Sequence, residues 1–308
     1  HGGQAKKEVL QKNNDILLQG GEDGTGQIFA SQLSRVIDFQ APSNTVAALS
    51  RQDEIQHPFL APMYQWASTV HHFSFGTDLG KSNVGIFVEG GPKVDPFDAT
   101  AVVGILRAGL KKHGDAFKSS IIGDMKLLNY HLEDIDLQRP GSIQFTVEPP
   151  GVINLNSLVW VHAKERDIAG PIEQNEISQG MFRALSLIIQ LTYSALELKP
   201  SCILIDDIGE GLDFERACAL IKVLIEKASK SGVQLLMSTN DRFVMNTVPL
   251  EMWAVLRREK NIVRVFNYAN SKKLFDEFAY TGLNNFDFLA TDFIGSGGLQ
   301  NEEDSNLR

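Results

Sequence analysis

The most constraining feature of this sequence is a stretch in which short apolar runs alternate with helical patterns. Between residues 176 and 266 the pattern predicts, in order, a helix at 180–196, a strand at 202–205, a helix at 214–229, a strand at 233–238, a short helix or turn, and a hairpin of strands 253–257 and 262–268. Nearly continuous apolar strands between helices are typical of a mostly parallel sheet that is covered on both faces. The sequence therefore predicts an α/β fold.

The remaining segments predict additional parts around this core. Asp95-Pro96 has the residues of a helix start, with an apolar stripe behind it, and a second helical pattern runs over 119–132. Two strand-like runs, 142–147 and 152–161, resemble a hairpin. We expect four regions: 1–92 as a mixed α/β part, 93–170 as a smaller helical lobe with a β-hairpin, 171–290 as the core, and 291–308 as a disordered tail.

Composition excludes several classes of protein. The chain has 308 residues and a net charge of −9, which argues against a stand-alone nucleic-acid binder and leaves DNA binding undecided. No run approaches the roughly 20 apolar residues of a membrane span, and the first residues have no signal-peptide core. The only cysteines, Cys202 and Cys218, lie in apolar patterns and predict free thiols. We expect a cytoplasmic protein without membrane contact.

Two adjacent carboxylates end the first core strand. Asp206 and Asp207 directly follow the apolar run 202–205. In open α/β sheets, ligands bind at the carboxyl ends of the strands. Mg²⁺ takes one or two carboxylate ligands there and leaves its other positions to phosphate and water, and a neighbouring carboxylate can orient the attacking water. Paired acids after a strand are also common in solvated turns, so the pair needs supporting context.

Three further polar clusters lie at loops beside the same predicted sheet. Gly211-Leu212-Asp213 follows the acid pair, with Asp213 seven positions after Asp206. The run 176–185, which contains Ser178, Gln179, Gly180 and Arg183, opens a long apolar helix, and small residues at a helix N-terminus expose N–H groups to a phosphate. The second core strand ends in Ser238-Thr239-Asn240-Asp241. The clusters together favour a phosphate-ligand site.

These motifs resemble an ABC-type ATPase head of the SMC/RecF/OLD-like bacterial AAA-family group. ISQGMFRAL resembles the signature motif in its SxGxxR form, CILIDDIGEGLD resembles Walker B running into the D-loop, and STND resembles the switch loop. The resemblance covers about residues 170–270 and keeps the order and spacing of the motifs. It implies a P-loop NTPase fold with ATP and Mg²⁺ as cofactors. It also implies a homodimer or heteromer that closes around ATP and acts on an effector. By analogy, such a protein would act in phage defence or DNA maintenance.

The resemblance also implies roles for individual residues. Asp206 binds Mg²⁺, Asp207 stands where the family has a catalytic glutamate, and Asp213 couples the two halves of a dimer. The signature residues Ser178, Gln179, Gly180 and Arg183 contact ATP held by the opposite subunit, and Asn240 takes the place of the switch histidine. Aspartate at 207 is one methylene shorter than glutamate, and Asn240 cannot carry a proton. Both departures predict slow hydrolysis or use of ATP binding as a signal.

The phosphate-binding loop of this family has no good match. Phe75-Gly-Thr-Asp-Leu-Gly-Lys-Ser82 contains GKS, but Phe75 stands at the position of the first glycine. The motif should open a helix, whereas residues 83–88 read as a strand. We expect the loop to lie upstream of His1 or on another chain, and this chain alone to bind ATP poorly and to be inactive.

Two other functions compete with an ATPase. A regulatory module that keeps the fold without turnover is favoured by Asp207, Asn240 and the missing loop. A metal-dependent nuclease needs Asp206, Asp207, Glu210 and Asp213 as one cluster, and it leaves the segments at 178 and 238 unexplained.

Overall fold

A computed structural model describes residues 6–42, 44–87, 94–141, 158–197 and 201–296. The chain divides into an N-terminal unit, His1–His71 with Pro200–Ile203, and a C-terminal unit, His72–Lys199 with Leu204–Arg308.

The N-terminal unit is built on an antiparallel four-stranded sheet. Its strands are β1 (Lys7–Lys12), β2 (Asp15–Gly21), β3 (Thr25–Ala30) and β4 (Arg35–Gln40), hydrogen-bonded in the order β1-β2-β3-β4. Leu18 lies opposite Ile28, and both are buried against the short helix α1 (Ala47–Ser50) and Leu60. Helix α2 (Ala61–Ala67) follows. Burial alternates along the second half of β3, where Ile28 and Ala30 are buried and Phe29 is half-buried, as expected for a sheet with one covered face.

The core elements run from β5 to β11. They are β5 (Val70–Ser74), β6 (Gly85–Ile86), α3 (Val102–Leu127), β7 (Leu132–Gln138), β8 (Leu158–Glu165), β9 (Ile172–Glu173), α4 (Gln179–Leu196), β10 (Ser201–Asp206), α5 (Phe214–Ser231) and β11 (Val233–Met237). Two sheets have the strand orders β11-β10-β5 and β6-β8-β7, and β9 also pairs with β8. The α/β character expected from the sequence is present, and a mostly parallel direction of the core strands stays a prediction.

Helices α4 and α5 differ in burial for reasons visible in their sequences. Helix α4 is apolar on nearly all sides, and most of its residues are buried. Helix α5 buries one stripe and exposes charged residues on the other face. Asp213 caps its N-terminus, and Gly232 ends it in the left-handed conformation, with φ of 70°.

The last part of the described chain packs around aromatic rings. It comprises α6 (Arg242–Thr247), the antiparallel hairpin of β12 (Ala254–Glu259) and β13 (Ile262–Asn267), and helices α7 (Tyr268–Ala279), α8 (Asp287–Ala290) and α9 (Phe293–Ser296). Phe275, Phe278, Phe288 and Phe293 are buried together. The hairpin was predicted, whereas α7, which begins with a capping box at Asn267 and Asn270, was missed.

The region before β8 shows where local patterns misled. No helix starts at Asp95-Pro96, because the Asp95 and Asp98 carboxylates accept bonds from Phe97 and Thr100 and form turns instead. Helix α3 begins at Val102, is interrupted at Gly114 (φ 55°, ψ −133°), and ends before Leu132, which starts β7. The predicted hairpin over 142–147 and 152–161 lies outside the described residues except for its last four, which belong to β8.

Candidate functional site

The acid pair lies where β10 ends in the C-terminal unit. Ile205 is buried, whereas Asp206 and Asp207 are exposed. Asp207 has a φ of 54°, a left-handed conformation that aspartate adopts more readily than most residues. The chain therefore turns sharply at the acid pair and leaves both carboxylates at the surface.

Ser238 joins this strand end to the end of β11. Its hydroxyl donates to Asp206 Oδ1 at 2.5 Å and accepts the backbone N–H of Asp207 at 3.1 Å. The backbone N–H of Ser238 donates to the Ile205 carbonyl at 2.9 Å, and its carbonyl accepts from Ile208 at 3.0 Å. One side chain thus fixes both acids relative to the segment that resembles the switch loop. Sequence reasoning included Ser238 in that segment but gave it no role.

The turn after the acid pair carries two glycines and a helix cap. Gly209 and Gly211 have φ of 97° and 78°. Asp213 accepts the backbone N–H of Arg216 at 3.0 Å and its guanidinium at 2.5 Å. These two bonds, the backbone one first, hold the pKa of Asp213 below its usual value. In this structure the Asp213 carboxylate therefore caps α5 within its own chain.

The N-terminus of α4 packs directly on that turn. Ser178 is exposed and caps the helix by accepting the N–H of Met181 at 3.3 Å. Gly180 is buried, and a Cβ there would overlap the carbonyl oxygen of Gly211. Glycine is therefore required at 180 for the helix to approach the turn this closely. The segments at 178–183 and 206–213 therefore meet within this chain.

The guanidinium of Arg183 donates hydrogen bonds to three backbone carbonyls. Its Nε donates to Thr77 at 2.7 Å, Nη1 donates to Glu210 at 3.0 Å, and Nη2 donates to Gly76. Gln179 adds a bond from Nε2 to the Thr77 carbonyl at 3.3 Å. The side chain that the family resemblance places on a phosphate is occupied within its own chain.

The GKS-containing loop is closed on itself. No helix opens at the end of this loop: residues 79–82 form turns, and the short β6 begins at Gly85. Four backbone N–H groups are used internally: Thr77 to Ser74 O, Gly80 to Asp78 Oδ1, Lys81 to Asp78 O, and Asn83 to Gly80 O. A phosphate cradle needs such N–H groups free. The loop therefore lacks the helix that follows a phosphate-binding loop, and four of its N–H groups are already bonded within residues 74–83.

Gln174 holds the other side of this loop and was missed from the sequence. It is fully buried, accepts the N–H of Val161 at 2.9 Å, and donates to the carbonyls of Lys81 and Asn83 at 2.8 and 2.7 Å. A lone glutamine in a loop carries no pattern that marks it, so only the structure could reveal this role.

The remaining predicted residues have simpler surroundings. Asn240 is exposed after β11, and the next residue, Asp241, caps α6. Both cysteines are free; burial raises the pKa of the Cys202 thiol, and Cys218 is half-buried.

The acids of the nuclease hypothesis do not form one cluster. Across the described ranges, no group of three or more His, Cys, Asp or Glu side chains is arranged to hold a metal ion. Glu210 lies against Gly76, and Asp213 is bound to Arg216.

Among the helices of the described ranges, none combines the length and the apolar character of a transmembrane span.

Comparisons with known proteins gave distant matches only among solved structures. No protein-family model and no curated protein matches this sequence. An SMC head domain with a coiled coil and joint from Pyrococcus yayanosii matches at 15% identity and a TM-score of 0.38, over 56% of this chain and 31% of that one. An SMC head bound to the C-terminal winged-helix domain of ScpA matches at 14% identity and a TM-score of 0.44, over 85% of this chain and 71% of that one. A chain from a study of ATP-driven dimerisation and DNA-stimulated activation of SMC ATPases matches at 14% identity and a TM-score of 0.37, over 56% of this chain and 97% of that one.

Proposed function

We propose that this chain is part of an ABC-type ATPase head that binds Mg–ATP at Asp206 and Asp207 and closes head to tail against a second head. The observation that carries the proposal is the Ser238 hydroxyl, which donates to the Asp206 carboxylate at 2.5 Å and accepts from Asp207 at 3.1 Å. Segments that lie apart in sequence supply an acid pair and a polar strand end to one small surface, the arrangement that Mg²⁺-dependent phosphate chemistry requires.

The donor set at this surface suits a magnesium ion. Asp206 is an exposed carboxylate oriented by a hydroxyl, and Asp207 is an exposed carboxylate on a tight turn. When bound, Mg²⁺ would neutralise charge on phosphate oxygens. In this proposal Asp206 holds the ion, Asp207 orients water, and Asn240 hydrogen-bonds to phosphate or water. The closed loop at 76–83 has no part in holding phosphate.

The signature segment belongs to the contact with the second head. Ser178 is exposed at the start of α4, beside the turn that carries Asp213. The dipole of this 18-residue helix attracts an anion to its N-terminus. In the proposed assembly this end meets ATP bound at the Asp206 site of the other head, as a homodimer or a heteromer, and an effector responds to the closure.

The test compares Mg²⁺-dependent ATP binding and hydrolysis in the wild type, Asp206→Asn and Asp15→Asn, with the segment or chain that supplies the phosphate-binding loop present. Asp15, an exposed aspartate of β2, is the control site. Asp206→Asn should reduce hydrolysis by about 10²-fold or more, because the ion loses its charged ligand. Ser238→Ala should reduce it by about tenfold, and Ser238→Thr, which keeps the hydroxyl, should retain most of it. Equal activity of Asp206→Asn and the wild type would remove the acid pair from the mechanism.

A regulatory module without turnover is the second candidate. It is favoured by the internal bonding of the N–H groups in the loop at 76–83. Binding of Mg–ATP that depends on Asp206, with no hydrolysis above the rate of the Asp206→Asn variant, would select this function over the ATPase.

A further inference from the structure

We infer that Arg183 is a positioning residue, one that fixes the acid pair from a distance through the backbone, rather than a ligand of phosphate. The inference rests on the proposed function, because it assigns a role to a residue beside the same site. Three different nitrogens of the guanidinium donate to three carbonyls, those of Gly76, Thr77 and Glu210. No ion pair of Arg183 with a carboxylate is found in the described ranges.

Two of the carbonyls that accept bonds from Arg183 belong to segments that are hydrogen-bonded to the backbone of the acid pair. Gly76 follows Phe75, whose backbone N–H donates to the carbonyl of Asp206 at 3.0 Å. The backbone N–H of Glu210 donates to the carbonyl of Asp207 at 3.2 Å. The guanidinium of Arg183 therefore restrains the backbone next to both acids. It acts on Asp206 through the segment after β5 and on Asp207 through the turn after β10.

The neighbouring glycines leave room for this arrangement. Gly211 has a φ of 78°, and a Cβ there would lie 2.7 Å from Arg183 Nη1. Gln179, one turn earlier on α4, donates to the same Thr77 carbonyl. The first turn of α4 is thus bonded to both loops, and a displacement of this helix would pull on both acids together.

The chemistry of arginine explains why this position needs the whole guanidinium. Its planar fork presents donors in several fixed directions, whereas a lysine ammonium is a single flexible point charge. Lysine at 183 would keep the charge but could not restrain the two loops at once. Loss of the restraint would displace the acids without removing any group that contacts ATP.

The test compares the wild type with Arg183→Lys and with Arg264→Lys, an exposed arginine of β13. Hydrogen exchange, measured without nucleotide, should be about tenfold faster at the amides of Phe75 and Glu210 in Arg183→Lys and unchanged within α4. Mn²⁺ affinity, measured by electron paramagnetic resonance, should fall several-fold in the same variant. Arg264→Lys should match the wild type in both measurements.

Steady-state kinetics separate positioning from binding. Arg183→Lys should lower kcat for Mg–ATP by up to about 10²-fold, because ~1 Å of misplacement has that effect. KM should rise by no more than the several-fold loss of metal affinity, so most of the effect falls on kcat. A raised KM with an unchanged kcat would instead make Arg183 a phosphate ligand and overturn the inference. Unchanged exchange at Phe75 and Glu210 would also overturn it.

A second pair of variants guards against misfolding of Arg183→Lys. Gly211→Ala places a methyl group against the guanidinium, and Gly282→Ala has a similar positive φ, 72°, with no neighbouring atom within 4 Å. Faster exchange at Phe75 in Gly211→Ala but not in Gly282→Ala supports the inference, and equal behaviour contradicts it. If the wild type hydrolyses no ATP even with the segment or chain that supplies the phosphate-binding loop present, the ATPase proposal fails, while the exchange measurements, which need no nucleotide, still decide the role of Arg183.

Discussion

The loop of residues 76–83 and the turn of residues 206–213 both follow a core strand and both contain glycines, but they use their polar groups in opposite ways. Four of the loop's backbone N–H groups donate to acceptors within residues 74–80, and its carbonyls accept bonds from Arg183, Gln179 and Gln174. The turn leaves the carboxylates of Asp206 and Asp207 exposed. The loop is therefore held by internal bonds, and the proposal places the ligand at the turn.

The difference shows that a phosphate-binding sequence is meaningful only when its donors are free. Charge-assisted hydrogen bonds such as those of Arg183 contribute about 1.5–3 kcal/mol each. Opening the loop to a phosphate would have to replace several bonds at once. The turn needs no such rearrangement, because Ser238 already orients Asp206 and the opposite side of the carboxylate faces solvent.

The largest expected effect concerns the helix end that packs on the turn. Ser178→Asp and Ser178→Asn both keep a good helix cap, but only aspartate adds a negative charge. If ATP of a second head lies there, ATP-dependent self-association, measured by analytical ultracentrifugation, should weaken by about 10²-fold in Ser178→Asp through like-charge repulsion. Ser178→Asn should associate as the wild type does. Equal association of both variants would remove this helix end from the interface.

A smaller effect is expected when the second acid of the turn is lengthened. Asp207→Glu should raise ATP turnover by about five- to tenfold, because an added methylene brings the carboxylate ~1 Å closer to water. The gain is limited, since glutamate tolerates the φ of 54° less well than aspartate. Asp207→Asn keeps that tolerance and should lower turnover. Loss of activity in Asp207→Glu would show that Asp207 is not the water-orienting group.

The next largest expected effect is on stability, and it comes from the helix cap at Asp213 that ends the turn. Asp213→Ala should lower the free energy of unfolding by about 0.5–2 kcal/mol, whereas Asp213→Asn, which keeps a cap acceptor, should lose little. The pKa of Asp213 is lowered in the folded protein, so its contribution is present above the unfolded pKa of about 3.9 and is lost as pH falls through the folded pKa.

Chemical denaturation at pH 7 and at pH 3 measures this dependence. The difference between the wild type and Asp213→Ala should shrink at the lower pH. If Asp213→Asn keeps its stability but loses ATP turnover, Asp213 also has a role in the proposed interface. A stability loss of equal size in both variants would contradict the cap argument.

The turn could be largely predicted from the sequence, and the loop could not. The apolar run before Asp206, the cap at Asp213 and the glycines at 209 and 211 are local signals, and the structure places them as a strand end, a helix start and positive-φ positions. The bonds of Arg183 and Gln174 span about a hundred residues. Such contacts leave no local pattern, so the family resemblance alone suggested that Arg183 was free to bind phosphate.

The false helix start at Asp95-Pro96 has a different, local origin. An aspartate can cap a helix or close a turn, and the two uses share one local pattern. Asp95 closes a turn, and the helix begins at Val102. Asp213 caps a helix, because the residues after it form an amphipathic stripe in which Ala217, Leu220 and Ile221 are buried.

The smallest expected effect is the most direct test of the contrast between loop and turn. In a phosphate-binding loop the lysine contacts phosphate, and its removal abolishes nucleotide binding. Here the backbone N–H and carbonyl of Lys81 are bonded to Asp78 and Gln174, and alanine keeps both bonds. Lys81→Ala should therefore change the affinity for a fluorescent ATP analogue by less than about twofold, like the control Lys126→Ala on α3. A loss of tenfold or more in Lys81→Ala alone would mean that the loop opens in solution and supplies the phosphate site itself, with Arg183 released from the carbonyls of Gly76 and Thr77.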